Sequence, residues 1–424
     1  MPPSPRPRLI RLVPLLLGLL LAAAPAPPAA AQFVAGPWLE HTDAAIQEHR
    51  TTPLRVLVLD ADGKLAPHAK LHLEQTRHAF TLGFVTPNAF PDIYDPDAPG
   101  WRIFNAVALD RLTAWRDLQP EPVGQTPLRA TPLDAAIAQA RAHRLDLHWG
   151  PLLSADPFHL PEWAVPLRGP ALHDAALGHL RRVLTQYGPA LTELDLADQT
   201  LDHDRFSPAS LRRLSQELAF AAPHLTPRLR FDQALAGGAN FDAARAIDLA
   251  TANQLALSAW SVTHRFSPRP LEHELLHAAL DRLTRLRQPV LVSALEAPGQ
   301  HAVESSANLE TLLRTLFAHP RVQGVVFANP TSELARSPDH ALFLPDGSPA
   351  GPMRTADHLF RNLWWTDATA ETNELGQAAF RAFFGEHQIT ATLQDGSTLT
   401  LPLRLTPQHD PDTPLVLAPL KPEP

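Results

Sequence analysis

From Phe80 onward the chain alternates short apolar runs with longer segments whose apolar residues recur at helical spacing. The apolar runs at 80–85, 104–108, 145–153, 191–197, 228–231, 255–259, 290–295 and 322–328 read as strands. Helix starts are legible between them. Thr131-Pro132-Leu133-Asp134 sets a cap with Pro at the first helical position, and Ser207-Pro208 repeats the device. Strands alternating with helices over a span near the usual ~250 residues predict an α/β fold, a (β/α)8 TIM barrel over residues 80–357. The flanks have a different rhythm. Runs at 54–60 and 69–74 around the turn Asp62-Gly63 predict a small N-terminal β module within 32–79. Runs at 380–384, 388–393 and 398–403, the last two around Asp395-Gly396, predict a small C-terminal β domain over 358–406, followed by a loose tail at 407–424.

The first 31 residues change the picture of where the protein works. Arg6, Arg8 and Arg11 precede an apolar run over 12–24, and Ala29-Ala30-Ala31 precedes Gln32. This predicts a signal peptide over 1–31 and a secreted or periplasmic product. The run is too short to span a bilayer, Pro25, Pro27 and Pro28 break it as an anchor helix, and no other run predicts a membrane span in the mature protein. The chain has no Cys, so an exported form relies on packed cores rather than disulfides. Hydrophobic content of 45% supports a sizeable core. A formal net charge of -8 without a basic block argues against nucleic acid as a partner. Nothing in the sequence sets the oligomeric state.

Barrel enzymes carry their reactive groups at the C-terminal ends of strands, so the residues there decide the chemistry. Residues 289–298 read PVLVSALEAP, and 194–199 read LDLADQ. These segments resemble the seventh and fourth strands of glycoside hydrolase family 10, the endo-1,4-β-xylanases, whose patterns run roughly PIHITELDVP and WDVVNE. The resemblance places Ala294 at the nucleophile and Gln199 at the acid/base, with Asp198 at the preceding Asn. A retaining glycosidase needs two carboxyl groups roughly 5 Å apart, one protonated and one ionised. Neither a methyl nor an amide supplies one.

Other segments repeat the pattern of kept frame and altered site. Phe104-Asn105-Ala106-Val107 followed by Trp115 is similar to the family's FNAVTPENEMKW, with Asp110, Arg111 and Ala114 where sugar-binding Glu, Asn and Lys are implied. Trp149 with 150–155, then Pro161 and Trp163, resembles the third-strand pattern GHTLVWHSQ and its following P-x-W. Ala328 stands where the eighth strand implies a Trp. The likeness runs over about 80–353, and residues 75–83 and 362–366 resemble the lead-in and linker to family β modules. Candidate substrate-binding residues are therefore Asp110, Arg111, Trp149, Trp163, Gln199 and His264, the last just after the predicted sixth strand. Trp260 is a further stacking candidate.

Three readings follow. The favoured one is a family 10-like pseudoenzyme that binds a plant-type β-glycan such as xylan or xylo-oligosaccharide, or a partner, with hydrolysis lost or strongly impaired. The second is an active glycosidase using relocated carboxylates Glu296 and Asp198, since alternation along a strand puts Glu296 on the face of Ala294, ~6.6 Å further on. The third is a zinc protease, because His273-Glu274-Leu275-Leu276-His277 matches HExxH, with Glu296 downstream. Against the third, Leu275, Leu276, Ala279, Leu283 and Leu286 predict the buried stripe of an ordinary barrel helix. Asp202-His203-Asp204 reads as a polar loop. No cofactor and no metal is implied.

Overall fold

Eight parallel strand positions close on themselves between residues 81 and 327 of the computed structural model. It describes residues 37–87, 89–122, 128, 131–154, 156–198, 205–232, 250–264, 273–284, 288–296, 302–335 and 340–419. The predicted signal segment, Gln199 and the 202–204 cluster lie outside these.

A helix, Pro37–Arg50, leads into β1 (Thr51–Val58) and β2 (Lys70–His78). The barrel follows as β3 (Thr81–Val85), β4 (Ala106–Ala108), β5 (Asp146–Trp149) extended by β6 (Leu153–Ser154), β7 (Glu193–Asp198), β8 (Thr226–Asp232), β9 (Ala259–His264), β10 (Val290–Leu295) and β11 (Val322–Phe327). Each pairs in parallel with its successor, and β11 pairs with β3 to close the ring. Helices between them bury apolar stripes against the strands. In Gly169–Tyr187, Leu172, Ala176, Leu180 and Val183 form that stripe. Ser207 caps Pro208–Ala221 through the backbone N–H of Ser210, as the sequence predicts.

The predicted sixth strand is displaced, running from Ala259 rather than over 255–259. The cause is a helix ending: Gln254 has φ 50° and Leu255 N–H returns to Ala250 O at 3.0 Å. That is a Schellman closure, whose apolar residue packs on the helix it ends. The apolar residues of 255–257 therefore belong to the helix exit.

The flanking strands also depart from expectation, because β1 and β2 do not form a hairpin module. Four strands follow the barrel before the tail: β12 (Asp367–Glu371), β13 (Gln377–Phe383), β14 (Gly385–Thr392) and β15 (Thr398–Leu405). The segment predicted as a loose tail returns as β16 (Leu415–Leu417), parallel to β1. The sheets are β13-β1-β16 and β12-β2-β14-β15, so strands from both ends of the chain share one two-sheet unit. Alternating burial along β1 and β2 supplies the reason: Leu54, Val56, Leu71 and Leu73 find partners in Ala382, Ile389, Ala391 and Leu405.

Arg50 joins this end of the molecule to the barrel. Its guanidinium donates to the carbonyls of Phe317 (2.5 Å), His319 (2.7 Å) and Val322 (2.7 Å) and lies 5.1 Å from the Phe80 and Phe317 ring centres. It thereby satisfies the carbonyls of Phe317 and His319 at the end of the helix Ala302–Ala318 and ties them to Val322 at the start of β11. No helix among the described residues is long and apolar enough to cross a membrane.

Candidate functional site

The barrel interior has two unlike halves. Val85, Ala108, Leu291 and Val326, from the first, second, seventh and eighth strand positions, form a small apolar cluster. The third to sixth positions instead contribute His148, Glu193, Asp195, Arg228, Arg230 and Ser261, all of them inside one ion and hydrogen-bond network. Asp195 is its centre, fully buried and accepting from Arg228 Nε at 2.7 Å, Arg230 Nε at 2.5 Å and Ser261 Oγ at 3.1 Å. Arg228 also pairs with Glu193, whose carboxylate lies 3.3 Å from His148 Nε2. Arg230 Nη1 continues upward to Asp110 Oδ2 at 2.5 Å.

Burial works against every charge here, and the pairing decides the outcome. Burial would raise the Asp195 pKa, but Arg228 and Arg230 outweigh it and hold the carboxyl down to about 2. Glu193 is shifted down for the same reason, burial being overcome by Arg228 and His148. Burial would lower the pKa of Arg230, yet Asp110 and Asp195 leave it above its ordinary value. Burial keeps His148 low despite Glu193 beside it.

Above the network, at the C-terminal ends of the strands, lies a cavity of about 510 Å³ whose wall includes Asp110, Arg111, Trp115, His159, Asp198, Arg230, Thr263 and Ala294. Strand irregularities aim two of these. The register between β7 and β8 slips between Asp195 and Ala197, so Asp198 reaches the cavity although it stands an odd number of residues from inward-facing Asp195. A similar slip on β10, between Val292 and Ala294, lets Ser293 bond to Ser261 inside the barrel while the adjacent Ala294 lines the cavity.

Asp110, Arg111 and Asp198 thus share one wall with Ala294. Asp110 pairs with Arg230 across the barrel rather than with its neighbour Arg111. Trp149 is fully buried, its ring against Tyr187 with centroids 5.5 Å apart, and it offers no face to a ligand. Trp163 is half-buried, donates from Nε1 to Gln119 O at 3.2 Å and meets Trp115 edge-on. Trp260 is buried against Phe231. His264 ends β9 by its backbone. Glu296 follows β10, half-buried, and is not one of the residues lining the cavity.

The HExxH segment opens the helix His273–Thr284, which buries Leu276, Ala279 and Leu280. Leu275, expected in that stripe, is 56% exposed, and His277 pairs with Asp281 one turn on. Among the described residues no group of three or more His, Asp and Glu could hold a metal ion.

Arg230 and Asp195 were not among the residues the sequence singled out as a site. The signal was present: Arg228 and Arg230 sit two apart in a predicted barrel strand, which puts both guanidiniums on one face.

Gly150 makes the Asp110 contact possible. A Cβ there would stand 2.7 Å from Asp110 Cα and 2.8 Å from its Oδ1, so only Gly lets the two segments approach. Gly150→Ala is expected to push Asp110 away from Arg230 and lower stability by about 1–3 kcal/mol, read as the urea midpoint. An unchanged midpoint would place no strain at this contact.

No protein-family model matches the sequence. A stretch of 123 residues is 28% identical to Anti-sigma-I factor RsgI6 of Acetivibrio thermocellus, and spans 29% of this chain but only 16% of that protein. Among solved structures, xylanase 10B of Thermotoga petrophila in complex with xylobiose superposes with a TM-score of 0.56 at 13% identity, over 67% of this chain and 95% of that one. Native xylanase 10B of Thermotoga maritima gives 0.56 at 13% identity, over 67% and 96%. Xylanase10C of Cellvibrio japonicus, a mutant in complex with xylopentaose, gives 0.55 at 13% identity, over 72% and 69%. The fold is therefore a (β/α)8 barrel similar to those of the glycoside hydrolase family 10 xylanases, with extra β sheets built from both ends of the chain.

Proposed function

We propose that the protein is an exported, xylanase-like member of the glycan-binding world that holds xylan-type β-glycan at the barrel mouth without hydrolysing it. The observation that carries this reading is the composition of the cavity wall. Ala294 stands where the family likeness implies a nucleophile, and Asp110, one of two carboxylates in the wall among the described residues, is tied to Arg230. Two carboxyl groups in the acid and base roles are required for retaining hydrolysis, and among the described residues this wall does not present such a pair free of an arginine. A fixed guanidinium at the mouth also opposes the positive charge that develops on the sugar in the transition state. The solved xylanases of similar fold that hold xylobiose and xylopentaose support a xylo-oligosaccharide as the type of ligand.

The second reading keeps hydrolysis through Glu296 and Asp198. Asp198 lines the cavity, which favours it as far as one carboxylate goes.

Reducing-sugar release from β-1,4-xylan by protein starting at Gln32 separates the two. The expected result is release no greater than from boiled protein. Release that disappears with Glu296→Gln would establish the relocated site instead.

A further inference from the structure

The charges of the cavity wall are unevenly satisfied. Asp110 is paired with Arg230, and Asp198 has an interaction partner of its own. Arg230 is pinned through Nε on Asp195 and Nη1 on Asp110, which leaves its Nη2 edge without a hydrogen bond among the described residues. Arg111, the next residue after Asp110, is exposed on the same wall and has no ion pair or hydrogen bond among the described residues. Beside them Ala294 contributes a methyl. Among the described residues the wall therefore holds two carboxylates that each have a partner, one guanidinium without one, and a second guanidinium fixed in orientation nearby.

We infer that the cavity recognises a glycan carrying a carboxylate, a uronic acid unit, gripped by Arg111 with Arg230 as the fixed second cation. This deepens the reading of the cavity as a glycan site and rests on it. A planar guanidinium matches a carboxylate in shape as well as charge, and such charge-assisted bonds outweigh those to neutral hydroxyls. A neutral sugar offers Arg111 hydroxyl oxygens that accept from it but leave its charge uncompensated. An acidic unit gives it a partner, and Asp198 accepts from the ring hydroxyls. Arg230 cannot swing out to meet a ligand, since Asp195 and Asp110 hold it; Arg111, being exposed, can.

The test is calorimetric titration of protein starting at Gln32 with a xylo-oligosaccharide bearing one uronic acid side group, and with the same oligosaccharide after its carboxyl is reduced to the alcohol. The acidic form is expected to bind about tenfold or more tightly. That preference is expected to shrink with added salt and to vanish in Arg111→Gln, whose melting temperature serves as the folding control. Equal affinity for the two forms would overturn the inference and leave glycan binding standing. Binding of neither form would overturn both. A preference that survives Arg111→Gln would overturn the role given to Arg111.

Discussion

Acidification from pH 6.5 to 4.5 is expected to remove on the order of 10 kcal/mol of folding stability, enough to unfold the protein with a midpoint above pH 4. The cause is a set of buried neutral imidazoles. Burial holds His78 and His179 down to about 3, and His319 and His387 down to about 4. His78 shows why protonation is refused. Its Nε2 donates to Trp364 O at 3.1 Å while its Nδ1 accepts the Phe80 N–H at 3.1 Å, so a second ring proton would meet a donor. His319 likewise accepts the Arg321 N–H at Nδ1. His179 lies stacked on Trp115 with its Nδ1 at Gln119 Oε1.

The sign follows from proton uptake. An unfolded His binds a proton as pH falls through about 6.5, and these folded ones do not until far lower. Their contribution is complete above that pH and declines below it, by about 2–3 kcal/mol for each by pH 4.5. Urea midpoints measured between pH 7 and 4.5 check this, and a flat profile would contradict the neutral assignment. Asp195, depressed to about 2, adds a separate loss as pH falls from about 4 toward 2.

Asp195→Ala is expected to cost about 3–5 kcal/mol, against less than about 0.5 kcal/mol for exposed Arg111→Gln. Asp195 is the only carboxylate shared by both interior arginines among the described residues. Without it Arg228 retains Glu193 and Arg230 retains Asp110, each a buried cation missing half of its pairing. The charge cannot escape to solvent, since Arg228 is 1% exposed. A buried pair of this kind adds little net stability over an apolar substitute, yet breaking one side leaves an uncompensated charge. Equilibrium urea unfolding gives the value, and a change below about 1 kcal/mol would mean that the network tolerates the loss.

Much of the fold was legible because helical periodicity, capping residues and short apolar runs are local signals. Among the misreadings, the start of the sixth strand turned on one backbone angle and the flanking modules on non-local pairing. Whether apolar Leu255 begins a strand or closes a helix depends on Gln254 adopting positive φ, which composition does not encode. Pairing of β1 with β13 joins residues more than 300 positions apart, such as Thr52 with Ala382, so two modules were expected where one forms. The site was legible in part. Family likeness located Asp110, Arg111, Asp198 and Ala294 on what is one wall. It said nothing of Arg230, which stands at none of the positions where the likeness implies a sugar contact, and only the alternation of Arg228 and Arg230 along the strand points to it. Strand slips at Ala197 and Ala294 also lie beyond a strict period of two.

The most direct measurement of the central claim is a titration of xylopentaose into protein starting at Gln32, followed by NMR, with the sugar recovered and weighed by mass spectrometry. The expected result is saturable shifts of resonances from the cavity wall, Trp115 among them, with the pentasaccharide recovered intact. Recovery of shorter xylo-oligosaccharides, with cleavage abolished by Glu296→Gln, would contradict the account and make the protein an active glycosidase.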